Sequence, residues 1–224
     1  MDTTLGQRAG ELAAELKPRL RGVLHEVAFA ISLVTGTVLI CLSDNPREYV
    51  SASIYGATVA LLFGTSAAYH RGSWSPRGHA LMARLDHSMI FVLIAGTYTP
   101  FCLLLLSGTT AVVLLSVVWG GALAGIIARN AVRRPPRWLF VALYLALGWV
   151  ALAIAPDVYR QGGLVVLVLL LAGGALYSVG AAVYATRRPN PSPRWFGFHE
   201  VFHALTLAAF ITHYLAVSFA TYRA

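Results

Sequence analysis

From residue 22 onward the chain is a succession of apolar runs, each about twenty residues long, almost free of charge and separated by short polar loops. A run of that length spans the hydrocarbon core of a bilayer as a helix, and inside that core every backbone N–H and C=O must be paired within its own segment. The pattern therefore predicts an all-α polytopic membrane protein rather than a soluble fold. Composition agrees: 58% of the 224 residues are hydrophobic and 12% charged, with a mean hydropathy of +0.68. We expect a seven-transmembrane-helix bundle, with spans near 22–43, 50–71, 81–106, 109–129, 137–155, 163–186 and 197–220. The loops hold the breakers Asp44-Asn45-Pro46, Ser73-Trp74-Ser75-Pro76, Ser107-Gly108, Arg133-Arg134-Pro135-Pro136, Pro156-Asp157 and Pro189-Asn190-Pro191-Ser192-Pro193. Residues 1–21 read as a cytosolic N-terminal segment, helical at Leu5, Leu12, Leu16 and Leu20, and 22–224 as one membrane domain.

The basic residues orient the bundle. With the N-terminus in the cytosol, fourteen of the seventeen Lys and Arg fall on the inner side, and only Arg47, Arg160 and Arg223 fall outside. That alternation is the positive-inside pattern for an odd number of spans, so the C-terminus is expected outside. The formal net charge of +8 is then an orientation signal and a set of lipid phosphate contacts, and no nucleic-acid partner is expected. Residues 1–21 mix acids and bases without an apolar core, unlike a cleaved signal peptide. Cys41 and Cys102 lie within apolar runs, outside any CxxC, and read as free packed thiols.

Ionisable side chains are expensive in a membrane and mark function by default. His199 and His203, in His199-Glu200-Val201-Phe202-His203, are four apart and so share one helix face, one turn apart. The expected topology brings His70, at the end of the second span, and Asp86, early in the third, to the same cytosolic depth. Ser66 lies one turn before His70. Three imidazoles with an open fourth position are the layout of a catalytic zinc site. His70, His199 and His203 are the candidate ligands. Asp86 is placed to hold the attacking water or accept its proton, and Ser66 to orient that water or a ligand. His213, ten residues beyond His203, reads as a helix–helix hydrogen-bond donor, and His79 as a loop residue. His25 and His87 read as neighbours of the cluster or headgroup contacts, and Glu26 and Glu200 as interfacial or hydrogen-bonded acids. Other seven-span chemistries fit less well. A retinal Schiff base needs a lysine in a late span, but the only lysine is Lys17. Haem needs axial ligands on opposite sides of iron, which two histidines on one helix face do not supply. Asp86 is too shallow for a proton-coupled transporter.

Ser66-Ala67-Ala68-Tyr69-His70, Leu85-Asp86-His87 with Ile94-Ala95-Gly96-Thr97-Tyr98-Thr99-Pro100-Phe101, and His199-Glu200-Val201-Phe202-His203 together resemble the haemolysin III proteins of bacteria. These group with the adiponectin and progestin receptors in the PAQR family. The resemblance spans all the apolar runs. It implies seven helices, an inside N-terminus, residence in the bacterial plasma membrane and a zinc site near the cytosolic face. His70, His199 and His203 would be the ligands, with Ser66 and Asp86 beside them. The receptor branch and the similar alkaline ceramidases imply zinc-dependent hydrolysis of a lipid amide or ester, with membrane lipids as partners. The bacterial branch is named for haemolysis, which implies the alternative of a cytolytic, pore-forming or membrane-homeostasis protein with structural zinc. Against a monomeric pore, no row of charge crosses the full depth of the spans. One departure stands out. Many members carry an acid and an Asn ahead of the first-span His, at E-x2-N-x3-H spacing. His25 fits the His, but Pro18 and Arg21 stand at the other two positions.

Overall fold

A computed structural model describes residues 18–132 and 136–222. The leucines at 5, 12 and 16 that suggest an N-terminal helix lie outside the described residues. All regular structure described is helical: α1 Val23–Cys41, α2 Pro46–Arg71, α3 Pro76–Leu105, α4 Gly108–Ala131, α5 Arg137–Gly148, a 3-10 helix Trp149–Ile154, α6 Ala155–Thr186 and α7 Phe198–Tyr222. Among the described residues no strand forms, only an isolated bridge between Ser192 and Phe196. Among the described residues six helical stretches are long and apolar enough to cross a membrane, the fifth of them running from Trp138 to Thr186. Large side chains such as Val34, Val112, Leu123 and Leu164 face outward, as lipid-facing surface requires.

The polar loops do more than interrupt. Pro46 and Pro76, expected as breakers, each open a helix, because proline at the first helical position gives up only an N–H that would be unpaired anyway. Asn45 Oδ1 accepts the N–H groups of Arg47 and Glu48 at 3.1 and 3.2 Å. Ser75 Oγ accepts the N–H of Gly78 at 3.2 Å. Both helices therefore begin earlier than apolarity alone indicates. Asp86 lies ten residues into α3 rather than in its first turns, and His79 is an exposed residue of that helix rather than of a loop. Cys102 is buried, but Cys41 faces outward instead of packing.

Pro156-Asp157 likewise opens α6, and the turn expected there comes later. Gly163 holds φ 78° and ψ 176°, a conformation that only glycine adopts without strain, and it breaks α6 into two helical pieces. Trp149 Nε1 donates to Ser178 Oγ at 3.0 Å, across 29 residues. In one straight helix those residues would be about 43 Å apart, so the chain folds back between them. Tyr98, from α3, stabilises the start of the 3-10 stretch: its hydroxyl accepts from the Ala151 N–H at 2.6 Å and donates to the Gly148 carbonyl at 2.5 Å. A side chain inserted into the helical ladder is a recognised cause of such a break.

The segment that enters α1 is tied to the loop that precedes α7. Arg19 and Leu20 donate their N–H groups to the carbonyls of Arg194 and Trp195 at 3.0 and 3.2 Å. The first N–H groups around the α7 start are paired as well: Phe198 N donates to Asn190 Oδ1 and Gly197 N to Glu200 Oε2. Gly22, at φ 83°, lets the chain enter α1 against α2, since a Cβ there would lie 2.6 Å from the Cβ of His70. Its left-handed turn and the close approach require glycine together.

Candidate metal centre

α2 and α7 bring three imidazoles to one point. His70 and His203 are buried and His199 partly so, and each offers a ring nitrogen within 4.8 Å of the other two. The Nε2 atoms of His70 and His199 approach to 3.1 Å. Helix periodicity accounts for His199 and His203, whose rings lie one turn apart at 4.4 Å between centroids. His70 comes from the last turn of α2.

Asp86 faces the same cavity from α3, together with Ser66, one turn before His70. Ser66 lies beside the Asp86 carboxylate. Ser66 Oγ and His25 Nδ1 are hydrogen-bonded at 2.8 Å, which ties α1 to α2 at this depth. His25, 3% exposed, also stacks flat on His203, with centroids 3.6 Å apart and planes 3° from parallel. A line of contacts thus runs from Asp86 through Ser66 to His25 and on to the face of His203. Sequence reasoning placed His25 near the cluster but did not find these contacts. The available signal was its position in the first turn of the first apolar run, matching the depth of the other histidines.

On the opposite side, His87 Nε2 lies 3.4 Å from the Tyr184 hydroxyl, and the Tyr184 ring is 6.0 Å from that of His199. His213 is remote from the cluster and makes the helix–helix contact expected of it, donating Nε2–H to the Leu170 carbonyl at 3.0 Å. Glu26 is exposed and pairs with Arg71 at 3.0 Å. Glu200, between the two α7 histidines in sequence, turns away from them. It is 1% exposed and forms an ion pair with Arg21. An acid supplied by α7 thus pairs with the arginine that stands in the α1-proximal motif.

The histidine cluster, His25, Ser66, Asp86, His87, Tyr184 and His213 line a cavity of about 360 Å³ within the helix bundle. Its wall is mostly apolar, with polar residues concentrated at the histidine end and again deeper, around Tyr177 and His213.

The donor set suits a cation of zinc's preferences. Nitrogens bound tetrahedrally at about 2.0–2.1 Å sit roughly 3.3–3.4 Å from one another. The 3.1 Å His70–His199 approach is close to that edge length. Two neutral imidazoles can face each other so closely only if one gives its proton to the other, whereas a shared cation takes both lone pairs. Neither cysteine joins the group.

Comparison with known proteins places the chain among relatives. The family described as haemolysin-III related matches residues 14–214. The chain is 30% identical to a Hemolysin-3 homolog of Bacillus subtilis (strain 168), over 88% of this chain and 91% of that protein. It is 35% identical to Hemolysin-3 of Bacillus cereus, over 72% of this chain and 78% of that protein. The human monocyte to macrophage differentiation factor is 24% identical, over 86% of this chain and 79% of its own length.

Proposed function

The chain belongs to the haemolysin-III related family of membrane proteins, and we propose that it is a zinc-dependent hydrolase of lipid amides or esters, with its metal site near the cytosolic face. The observation that carries this reading is the convergence of three imidazole nitrogens on the wall of a cavity that also holds Asp86. His70, His199 and His203 hold the ion. Zinc bound there supplies a Lewis acid that polarises a carbonyl and makes water nucleophilic near neutral pH.

The protein's own groups do the rest. Asp86 accepts a proton from the attacking water and returns it to the leaving amine or alcohol. Ser66, beside the carboxylate and hydrogen-bonded to His25, orients the carboxylate. His25 also sets the ring plane of His203 by stacking. The apolar part of the cavity takes the lipid chain and keeps bulk water from it.

The domain reading that goes with this is seven crossings in residues 22–224, the N-terminus cytosolic and the C-terminus outside, in a bacterial plasma membrane. Support comes from the reversal between Trp149 and Ser178, the basic-residue bias in the sequence and the Bacillus relatives. A second reading has one observation in its favour: those relatives are called Hemolysin-3, which suits a cytolytic membrane protein whose zinc is structural.

The test pairs wild type with Asp86→Asn. Each is purified, loaded with zinc and incubated with a lipid extract, and products and metal content are measured on the same preparation. The hydrolase reading expects a released fatty acid from wild type, and in Asp86→Asn retained zinc with turnover lower by about 10²-fold or more, the scale of lost general-base catalysis. Full turnover in Asp86→Asn rejects Asp86 as the base. No product from wild type across a broad lipid panel favours the cytolytic reading.

A further inference from the structure

Arg21 reaches the metal cluster from the end at which α1 begins. It lies in the turn before that helix, where its N–H donates to the Pro18 carbonyl at 3.0 Å. The next residue, Gly22, is pressed against His70, since a Cβ there would lie 2.6 Å from that residue's Cβ. The Arg21 side chain then crosses to α7, where Nε donates to Oε1 of Glu200, the neighbour of His199. It thus runs alongside the ligand histidines, and it lines the cavity with them. Glu200 is a firm anchor: it is 1% exposed, and its other oxygen accepts the Gly197 N–H at 2.8 Å. That pairing occupies Nε alone. Among the described residues Nη1 and Nη2 form no hydrogen bond, and neither is an enclosed unpartnered atom, so the outer fork of the guanidinium is accessible. A guanidinium held at one edge keeps its other nitrogens in a fixed plane, the geometry that grips a carboxylate by two parallel bonds.

We propose that Arg21 binds a carboxylate on the leaving group, so that the preferred substrate is an N-acylated amino acid. The direction follows from the cavity. Its apolar wall runs inward along α3 through Ile94 and Phe101, eight and fifteen residues beyond Asp86, and takes the acyl chain. Arg21 precedes His25, which stacks on His203, so it stands on the opposite side of the cluster from that wall. A scissile amide held at the cluster with its acyl chain inward points its amine portion toward Arg21. A single accessible fork suits the one planar charge of a carboxylate better than the tetrahedral dianion of a phosphate monoester, and the neighbouring Arg71 is turned to Glu26 at 3.0 Å. The inference deepens the hydrolase reading and rests on it only for which side of the scissile bond carries the anion.

The test uses ligands with no bond to hydrolyse, so it does not depend on turnover. Dodecyloxyacetic acid and 2-(dodecyloxy)ethanol differ only in carrying a carboxylate or a hydroxymethyl group at the same position, and dodecyl phosphate supplies the alternative anion. Binding of each to the purified, zinc-loaded full chain is measured by calorimetry, for wild type, Arg21→Lys and the double variant Arg21→Met/Glu200→Gln. Arg21→Lys keeps a cation for Glu200 but has no second edge to offer. The double variant leaves no buried acid unpaired. Wild type should bind the carboxylate about tenfold or more tightly than the alcohol, the scale of a charge-assisted hydrogen bond. Both variants should lose most of that preference, with affinity for the alcohol unchanged. A preference undiminished in both variants places the anion on the metal or elsewhere and overturns the proposal. Absence of any preference in wild type, or failure of both ligands to bind it, also overturns it. A larger Arg21-dependent gain for dodecyl phosphate overturns the carboxylate assignment. Product release from a lipid extract, measured on the same wild-type preparation, tests the hydrolase reading separately, so the two can fail independently.

Discussion

Gly96→Ala opposes two effects of known sign. Gly96 lies mid-helix in α3, where alanine is favoured over glycine by about 1 kcal/mol from backbone entropy alone. Against this, a Cβ at Gly96 would lie 2.0 Å from Thr58 Oγ1, 2.6 Å from its Cγ2 and 2.7 Å from its Cβ. The hydroxyl can rotate away only by giving up its 2.9 Å bond to the Tyr55 carbonyl, and the Thr58 Cβ cannot rotate away at all. Carbon atoms pack at about 3.5 Å or more, so α2 and α3 would have to part by roughly 0.8 Å. Overpacking costs about 1–3 kcal/mol; with three Thr58 atoms in clash the upper part of that range, about 2–3 kcal/mol, applies, and after the helix gain we expect a net loss of about 1–2 kcal/mol. For a chain of this size that lowers the melting temperature by roughly 2–8 °C. The same two helices carry Ser66 and Asp86, so the approach of these two side chains should loosen as well. The assay is thermal unfolding in detergent of wild type, Gly96→Ala, Thr58→Gly and the double variant. On the Thr58→Gly background the alanine has room, and its cost should vanish or reverse. If Gly96→Ala alone is as stable as wild type or more stable, the α2–α3 contact is not the tight packing described.

Three further outcomes follow from the structure. Glu200→Gln keeps an oxygen for the Gly197 N–H but removes the charge facing Arg21, and should cost about 2–3 kcal/mol, less than a fully buried pair because the Arg21 side chain is 20% exposed; on an Arg21→Met background that cost should largely disappear. His25→Phe keeps the stack on His203 but loses the bond to Ser66, so zinc should stay bound while lipid turnover falls, and equal turnover would remove His25 from the positioning line. A reporter that is active only in the cytosol, fused after Ala224, should be silent, and strong activity would reverse the orientation.

What was legible in the sequence follows from how local each rule is. The pairing of His199 with His203 and of Ser66 with His70 needs only helix periodicity, and the structure keeps both pairs on shared faces. The apolar runs were legible for the same reason. Helix starts were misjudged wherever proline was treated only as a breaker, since at Pro46, Pro76 and Pro156 its effect depends on the cap or turn around it. The break at Gly163 falls at the expected start of a span, 163–186, but Pro156-Asp157, read as the breaker before it, opens a helix instead. Contacts between distant helices were not legible. Arg21 and Glu200 are 179 residues apart, and neither charge pattern nor spacing pairs them. The stacking of His25 on His203 depends on how α1 and α7 pack, which periodicity within each helix does not specify.

The central claim is that His70, His199 and His203 together hold one zinc ion. It is tested most directly by elemental mass spectrometry of purified protein, comparing wild type with His70→Ala, His199→Ala, His203→Ala and His213→Ala. Wild type should carry about one zinc per chain. Each of the three cluster variants should lose most of it, while His213→Ala, remote from the cluster, should retain it. Full zinc in all four variants, or its absence from carefully prepared wild type, would contradict the assignment.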